Sequence, residues 1–291
     1  MQFRPVTVAD LPALARVAEP LQRRPDRHVV YLADQADAIV AELEESTHHV
    51  ASLVATIDGG QIAGWLIADV DEEMGRVWWL GPFVAAEEWE PTATELLRRC
   101  RDLLPPGVDQ EEMAVDDRFV SCGPWADRMG FDTGAIGSWV LSLAGDVEVG
   151  ASELQVRAAR APDSDSALVE LHERLFPNTH TTGRQLIESS DESHIRLVTE
   201  EDGRLAGYIA VERQATGEGY VDYLGVAEPF RRRGLGRELV RAGVAAVREL
   251  GAADVHLTVR EDSEGARVLY ESLGFVAERL IRPYRIGFEI A

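Results

Sequence analysis

Residues 59–68, GGQIAGWLIA, return at 202–211 as DGRLAGYIAV, and VWWLG at 77–81 returns at 221–225 as VDYLG. MGF at 129–131 is echoed by LGF at 273–275, and FRPVTVAD at 3–10 resembles VRAARAPD at 156–163. The offsets are 143 or 144 for the first three matches and 153 for the last, in the same order along the chain. Such self-similarity constrains the fold more than any local propensity: the 291 residues hold two copies of one domain. The division predicted from it is residues 1–145 and 153–291, with LAGDVEVGAS at 143–152 as the joint.

The second copy shows what each domain contains. LQVRAAR, HIRLVTE, RLAGYIAVE, YVDYLGV and VHLTV have strand character, and EDGR at 201–204 is a hairpin turn. SDSALVELHERLF and TGRQLIESS have helical character. Residues 235–250 place Leu235, Leu239, Val240, Val244, Val247 and Leu250 on one helical face. Asp262 or Ser263 caps a further helix that stops at Gly274, and ERLIRPYRIGFEI supplies the last strands. The expected class is α/β (α+β): two tandem domains, each a mixed, mostly antiparallel twisted sheet flanked by helices on both faces.

Composition excludes several roles. The chain has 51 Asp and Glu against 29 basic residues, for a net charge of −22, which argues against a nucleic-acid partner. All the basic residues are arginine, so the Gly-Lys-Ser/Thr phosphate loop is ruled out. No apolar run is long enough for a bilayer, and the first twenty residues lack a signal-peptide layout; no membrane partner and a cytoplasmic location are expected. Cys100 and Cys122 are expected as buried thiols. The histidines show no metal-ligand spacing, so no metal is predicted.

Against this acidity, AEPFRRRGLGREL at 227–239 sets three arginines before Gly234-Leu235-Gly236, where a strand turns into a helix. Cations are disfavoured at a helix N-terminus unless an anion sits there, held by backbone N–H groups. Gly234 and Gly236 let the backbone approach such an anion, and the N–H groups of residues 232 to 237 are placed to face it. A dinucleotide turn would put its third glycine at Leu239, which is too large for close helix–strand packing.

LGVAEPFRRRGLGREL followed by LTVREDSEGARVLYESLGF resembles the GNAT acyltransferases. The pyrophosphate motif of that family is matched by Arg231, Gly234 and Gly236; its later motif is matched by Ala266, Leu269, Tyr270, Gly274 and Phe275. The resemblance covers about residues 154–291 and implies acetyl-CoA as co-substrate, with its diphosphate at Arg231, Arg232, Arg233, Gly234, Leu235, Gly236 and Arg237. It implies that Leu224 and Gly225 pair with the pantetheine, that the Val226 N–H donates to the oxyanion, and that Tyr270 is the acid. Ser263 stands where the family usually has Asn and is counted as cofactor-binding. The tandem arrangement with a working second copy resembles that of the mycothiol synthases.

In the first copy the offset of 144 carries Arg231–Gly236 onto EEWEPT at 87–92, and Tyr270 onto Ala126. Glu87 and Glu88 replace cations, so this copy is predicted to be catalytically dead. The resemblance implies a general base on this strand at Asp222 or Tyr220. It is assigned to Asp222, a carboxylate on an apolar strand, with Glu212 in reserve and a water chain as the other alternative; strict alternation puts Tyr220, Asp222 and Leu224 on one face. FPNTHTTGRQ at 176–185 would border the acceptor pocket through His180 and Arg184. The expected function is an acetyl-CoA-dependent N-acetyltransferase acting on a primary amine of a small molecule, as a monomer or homodimer. A peptide or protein N-acetyltransferase and a non-catalytic acyl-CoA-binding protein are the alternatives.

Overall fold

The computed structural model describes all residues except 46–50, 86–88, 162–164, 178, 180, 190–191, 215 and 289–291. Glu87, Glu88 and His180, singled out above, therefore lie outside the described residues. The first part of the chain gives β1 (Gln2–Pro5), α1 (Leu11–Gln22), α2 (Ala36–Glu45), β2 (Leu53–Thr56), β3 (Ile62–Asp71), β4 (Arg76–Val84), α3 (Trp89–Arg101), β5 (Gln110–Asp116) and α4 (Cys122–Arg128). The second gives β6 (Ser138–Leu143), β7 (Arg157–Ala158), α5 (Ser166–Leu175), α6 (Gly183–Glu188), β8 (His194–Glu201), β9 (Arg204–Arg213), β10 (Gly219–Val226), α7 (Leu235–Glu249), β11 (Val255–Arg260), α8 (Glu264–Glu271) and β12 (Val276–Ile286).

Two compact units result, and their bounds depart from the sequence division. One is Met1–Gly137 with Arg279–Ala291; the other is Ser138–Glu278. The strand that closes each copy in sequence is built into the other unit. In the first unit β12 pairs antiparallel with β5, Ile281 opposite Asp116 and Ile286 opposite Glu111. In the second, β6 pairs antiparallel with β11, Ser138 opposite Arg260 and Leu143 opposite Val255. The boundary at 145 and the assignment of the tail to the second domain are corrected accordingly. Either strand alone is a short alternating run that suits any open sheet edge, so local sequence does not choose between the edges.

The first unit runs β1-β2-β3-β4-β5-β12 and the second β6-β11-β10-β9-β8-β7. Among the described strands of each unit one junction is parallel, β4 with β5 and β10 with β11, and the rest are antiparallel. The second unit has a core on each face of its sheet. On one, α7 buries Leu239, Val240, Val244 and Val247 completely against Ile209 and Val211. Each such side chain contributes about 1.5–3 kcal/mol of hydrophobic stabilisation. On the other, α5 and α6 cover Tyr208 and Ala210 with Leu168, Leu171, Leu186 and Ile187.

Candidate active site

The site grows out of the parallel junction of the second unit. β10 and β11 are in register only at Gly219–Val221 against Val255–Leu257. Opposite this split, β10 carries a bulge: Val221 faces Val211 and Tyr223 faces Ala210, which leaves Asp222 without a partner. A bulge inserts one residue and reverses the alternation beyond it. Leu224 accordingly packs with the α7 core, as Val221 does, and Val226 borders both cores, while Tyr223 lies against His172 and Phe176 under α5. The expectation that Leu224 shares a face with Tyr220 and Asp222 is thereby corrected.

The bulge also aims the backbone. The Ala227 N–H bonds the Ala206 carbonyl 2.9 Å away, across to β9. Alternation then turns the Leu224 and Val226 N–H groups away from β9, toward the split. Gly225 between them is buried beneath the Tyr208 ring, which a Cβ there would strike. A strand-like ligand entering the split meets N–H groups with no strand to serve.

Beyond the split, the chain reaches α7 through a strained loop. Arg232 has φ 58 and Gly234 φ 85, both left-handed; at Gly234 this favours glycine, while at Arg232 it is an unusual conformation. Alternating handedness of this kind makes a concave nest of N–H groups. The N–H groups of Arg237 and Glu238 bond the Gly234 carbonyl. Among the described residues, no backbone carbonyl accepts from the N–H groups of residues 232 to 236. The run of N–H groups open to a candidate anion is thus 232–236, and Arg237 is already committed to the helix. Leu235 is buried beside Phe230, which fixes the turn. A Cβ on Gly236 would lie 3.2 Å from Leu269 Cδ1, so α8 leaves room there for little beyond hydrogen.

The arginines are not equivalent. Arg231 donates from Nε to the Val226 carbonyl at 3.0 Å and so spans loop and strand. Arg233 turns aside to pair with Glu201 at 2.9 Å and to cover Phe230. All three are exposed. Ser263 is the N-cap residue of α8, with no capping bond from its side chain.

On the face away from α7, titratable groups line up across four strands: His194 opposite Glu212, Glu212 opposite Tyr220, and Tyr220 opposite His256. Burial, and next the charge of Glu212, push the Asp222 carboxyl up to about 6; Arg196 and His194 act the other way. Arg196 approaches Asp222 only to 3.9 Å because its other donors serve the carbonyls of Leu186, Ile195 and Val211. Tyr220 shares a 3.1 Å hydrogen bond with Thr258. Tyr270 is buried, edge-on to Phe275; burial and then Tyr220 hold its phenol well above the usual range, so it stays protonated.

The segment predicted to border the acceptor is pinned by a residue that the sequence did not single out. His172, fully buried, bonds the Tyr208 hydroxyl at 2.7 Å and the Thr181 carbonyl at 3.0 Å. Arg184, the described residue of the predicted pair there, lies 3.3 Å from Glu188 on the exposed side of α6. Among the described residues no cluster of three His, Cys, Asp or Glu suits a metal, and no helix is long and apolar enough to cross a membrane.

The corresponding place in the first unit is filled. Pro82 stands at the repeat position of Val226 and has no N–H to give. Its carbonyl accepts from Trp89 Nε1 at 3.3 Å, where the second unit uses Arg231. Trp89 packs edge-on to Phe119 and Trp125, with ring centres 5.0 and 4.9 Å away. Carried forward by 144, Phe119 falls on Ser263 and Trp125 on Leu269. Glu90, at the first glycine position, pairs with Arg128 at 2.6 Å, and Thr92, at the second, is buried. Pro82 was legible in the sequence through the offset; the aromatic plug was not.

The profile of the Acetyltransferase (GNAT) family matches residues 166–275. The chain is 37% identical over 79 residues to the N-alpha-acetyltransferase MAK3 of Arabidopsis thaliana, a match covering 27% of this chain and 42% of that protein. The chain thus spans less than half the length of that relative. To a mycothiol acetyltransferase of Saccharopolyspora erythraea it is 26% identical over 270 residues, covering 83% of this chain and 86% of that one. A tandem GNAT protein from the clavulanic acid biosynthesis pathway superposes with a TM-score of 0.65 at 16% identity, covering 99% of each chain. With the nest, the split sheet and the two motifs, the second unit is thus similar to the GNAT acetyltransferases, and the whole chain has the fold of a tandem GNAT protein.

Proposed function

We propose that the second unit transfers the acetyl group of acetyl-CoA directly to a primary amine of a small molecule, and that the chain binds one acetyl-CoA. The nest of N–H groups at 232–236, beside the split between β10 and β11, carries this reading. Bound acetyl-CoA supplies the activated thioester. The nest, Arg231 and Arg232 hold its diphosphate, Arg233 joining them by leaving Glu201, and the N–H of Val226 faces the oxygen on which negative charge develops. Asp222, half-buried, takes a proton from the incoming ammonium. Tyr270, held protonated, donates to the departing sulfur and regains its proton from the nitrogen, whose second proton is lost as the amide forms. The similarity to MAK3 supports a second reading in which the amine is a protein N-terminus.

Calorimetry with acetyl-CoA is expected to give a stoichiometry near one. Two sites per chain would sink the view that the aromatic plug closes the first unit. Gly236→Glu sets a carboxylate against the diphosphate and is expected to weaken binding by about a hundredfold, on the order of 3 kcal/mol. Gly236→Ala brings the same Cβ without the charge and separates crowding against Leu269 from repulsion. Thiol release across polyamines, aminoglycosides, amino acids and peptides distinguishes the acceptor classes, and no release with any acceptor would favour a binding protein.

A further inference from the structure

An ammonium that becomes an amide loses two protons. One ends on the sulfur of CoA; the other, taken up by the base before attack, must reach solvent before the next turnover. Asp222 is a half-buried carboxylate with a side chain only 21% exposed, so its proton needs a way out. The groups facing it are His194 and Arg196 from β8, Glu212 from β9, Tyr220 and Tyr223 from β10, and His256 and Thr258 from β11. Arg196 stays charged at any working pH and carries no proton onward. The Tyr220 hydroxyl is engaged with Thr258, and His256 faces Glu218 at 3.7 Å. Glu212 is different. Its Oε2 lies 3.0 Å from His194 Nε2, and His194 Nδ1 lies 3.0 Å from the Ser193 hydroxyl. The His194 side chain is 32% exposed, so the imidazole joins the interior pair to solvent.

We propose that Glu212 and His194 form the outlet through which Asp222 returns its proton to solvent after each turnover; this rests on Asp222 being the base. The proton leaves the Asp222 carboxyl for a Glu212 oxygen, directly or through one water, and passes to His194 Nε2. The imidazolium releases a proton from Nδ1 to solvent, and both carboxylates end ionised. No bond to carbon forms or breaks, and one proton leaves per amide made. Glu212 is a relay and positioning residue, since the reacting amine meets Asp222.

Glu212→Gln tests this in the full chain, with unchanged melting and acetyl-CoA binding as the check on folding. Asp222 begins ionised above pH 6. The first turnover is therefore expected at the wild-type rate, as a burst of about one thiol per chain. Later turnovers in dilute buffer are expected to be about a hundredfold slower, at the lower edge of general acid–base effects. Added imidazole restores them, while the wild-type rate does not depend on buffer. Loss of the Glu212 charge is also expected to move the acidic limb of the pH–rate profile down, and His194→Gln to move it up. A first turnover slowed as much as the rest, or a raised KM for the amine with a rate indifferent to buffer, would overturn the outlet. Asp222→Asn run alongside separates the two ideas: if the acidic limb persists there, the base assignment fails and the outlet with it. If the limb is lost while Glu212→Gln shows neither burst nor rescue, only the outlet fails.

Discussion

Residues 153–291, expressed alone, are expected not to fold, whereas Ser138–Glu278 is expected to unfold cooperatively and to bind acetyl-CoA. The fragment that follows the sequence repeat omits β6, the antiparallel partner of β11. It removes Leu141 and Leu143, both fully buried, and Val149 from the core beneath α7. Losing large buried side chains costs about 2–5 kcal/mol each, so two or three amount to most of the stability of an ordinary domain, about 5–15 kcal/mol. Circular dichroism through a denaturant titration, with calorimetry of acetyl-CoA, decides the matter. Equal stability and affinity in the two fragments would mean that β6 is dispensable to the second unit.

Asp222→Asn and Tyr270→Phe are expected to lower kcat by about two to four powers of ten with little change in acetyl-CoA affinity, a size typical of losing an acid or base. They act on different partners, the amine and the leaving sulfur. Asp222→Asn is further expected to remove the acidic limb near pH 6 and to stabilise the fold at neutral pH. The sign follows from the displacement of Asp222 from 3.8 to about 6. Its favourable contribution is complete below 3.8 and is lost as pH rises through about 6. Above that the charged form opposes folding by up to about 3 kcal/mol. Melting at pH 8 should therefore rise in the variant, and at pH 3 the two proteins should melt alike. A variant less stable at pH 8, with its acidic limb intact, would make Asp222 an ion-pair residue. Tyr270→Phe with unaltered kcat, measured where chemistry limits turnover, would make the ring a packing element.

The repeat, the strand–nest–helix order and the place of Tyr270 on α8 could be read from residues, because each depends on short spacings. The α7 stripe from Leu235 to Val247 is of this kind. Two single-residue irregularities hid the rest. Counting back from the turn at Asp202-Gly203, where Glu201 faces Arg204, puts His194 opposite Val211. A bulge between Thr199 and Glu200 moves it opposite Glu212, so the row of titratable groups appears only once the register is known. The bulge at Asp222 likewise moved Leu224 to the other face. Strand exchange depends on which open edge a strand meets, and periodicity carries no such information.

The exchange reverses the order in which the two units can be finished during synthesis. Every strand of the second unit lies within one uninterrupted stretch and has been made once residue 278 is translated. The first unit, begun earlier, waits for Arg279–Ile286 to pair with β5, a closure between residues as far apart as Asp116 and Ile281. Its nascent chain carries β5 with that edge open while more than half of the protein is made, and an unpaired edge invites association with other chains. Ribosome-bound chains with residue 278 just exposed from the tunnel should protect β8–β11 from hydrogen exchange and leave β5 open; protection of β5 at that length would show that its edge is closed some other way. The half translated first is the half that matures last.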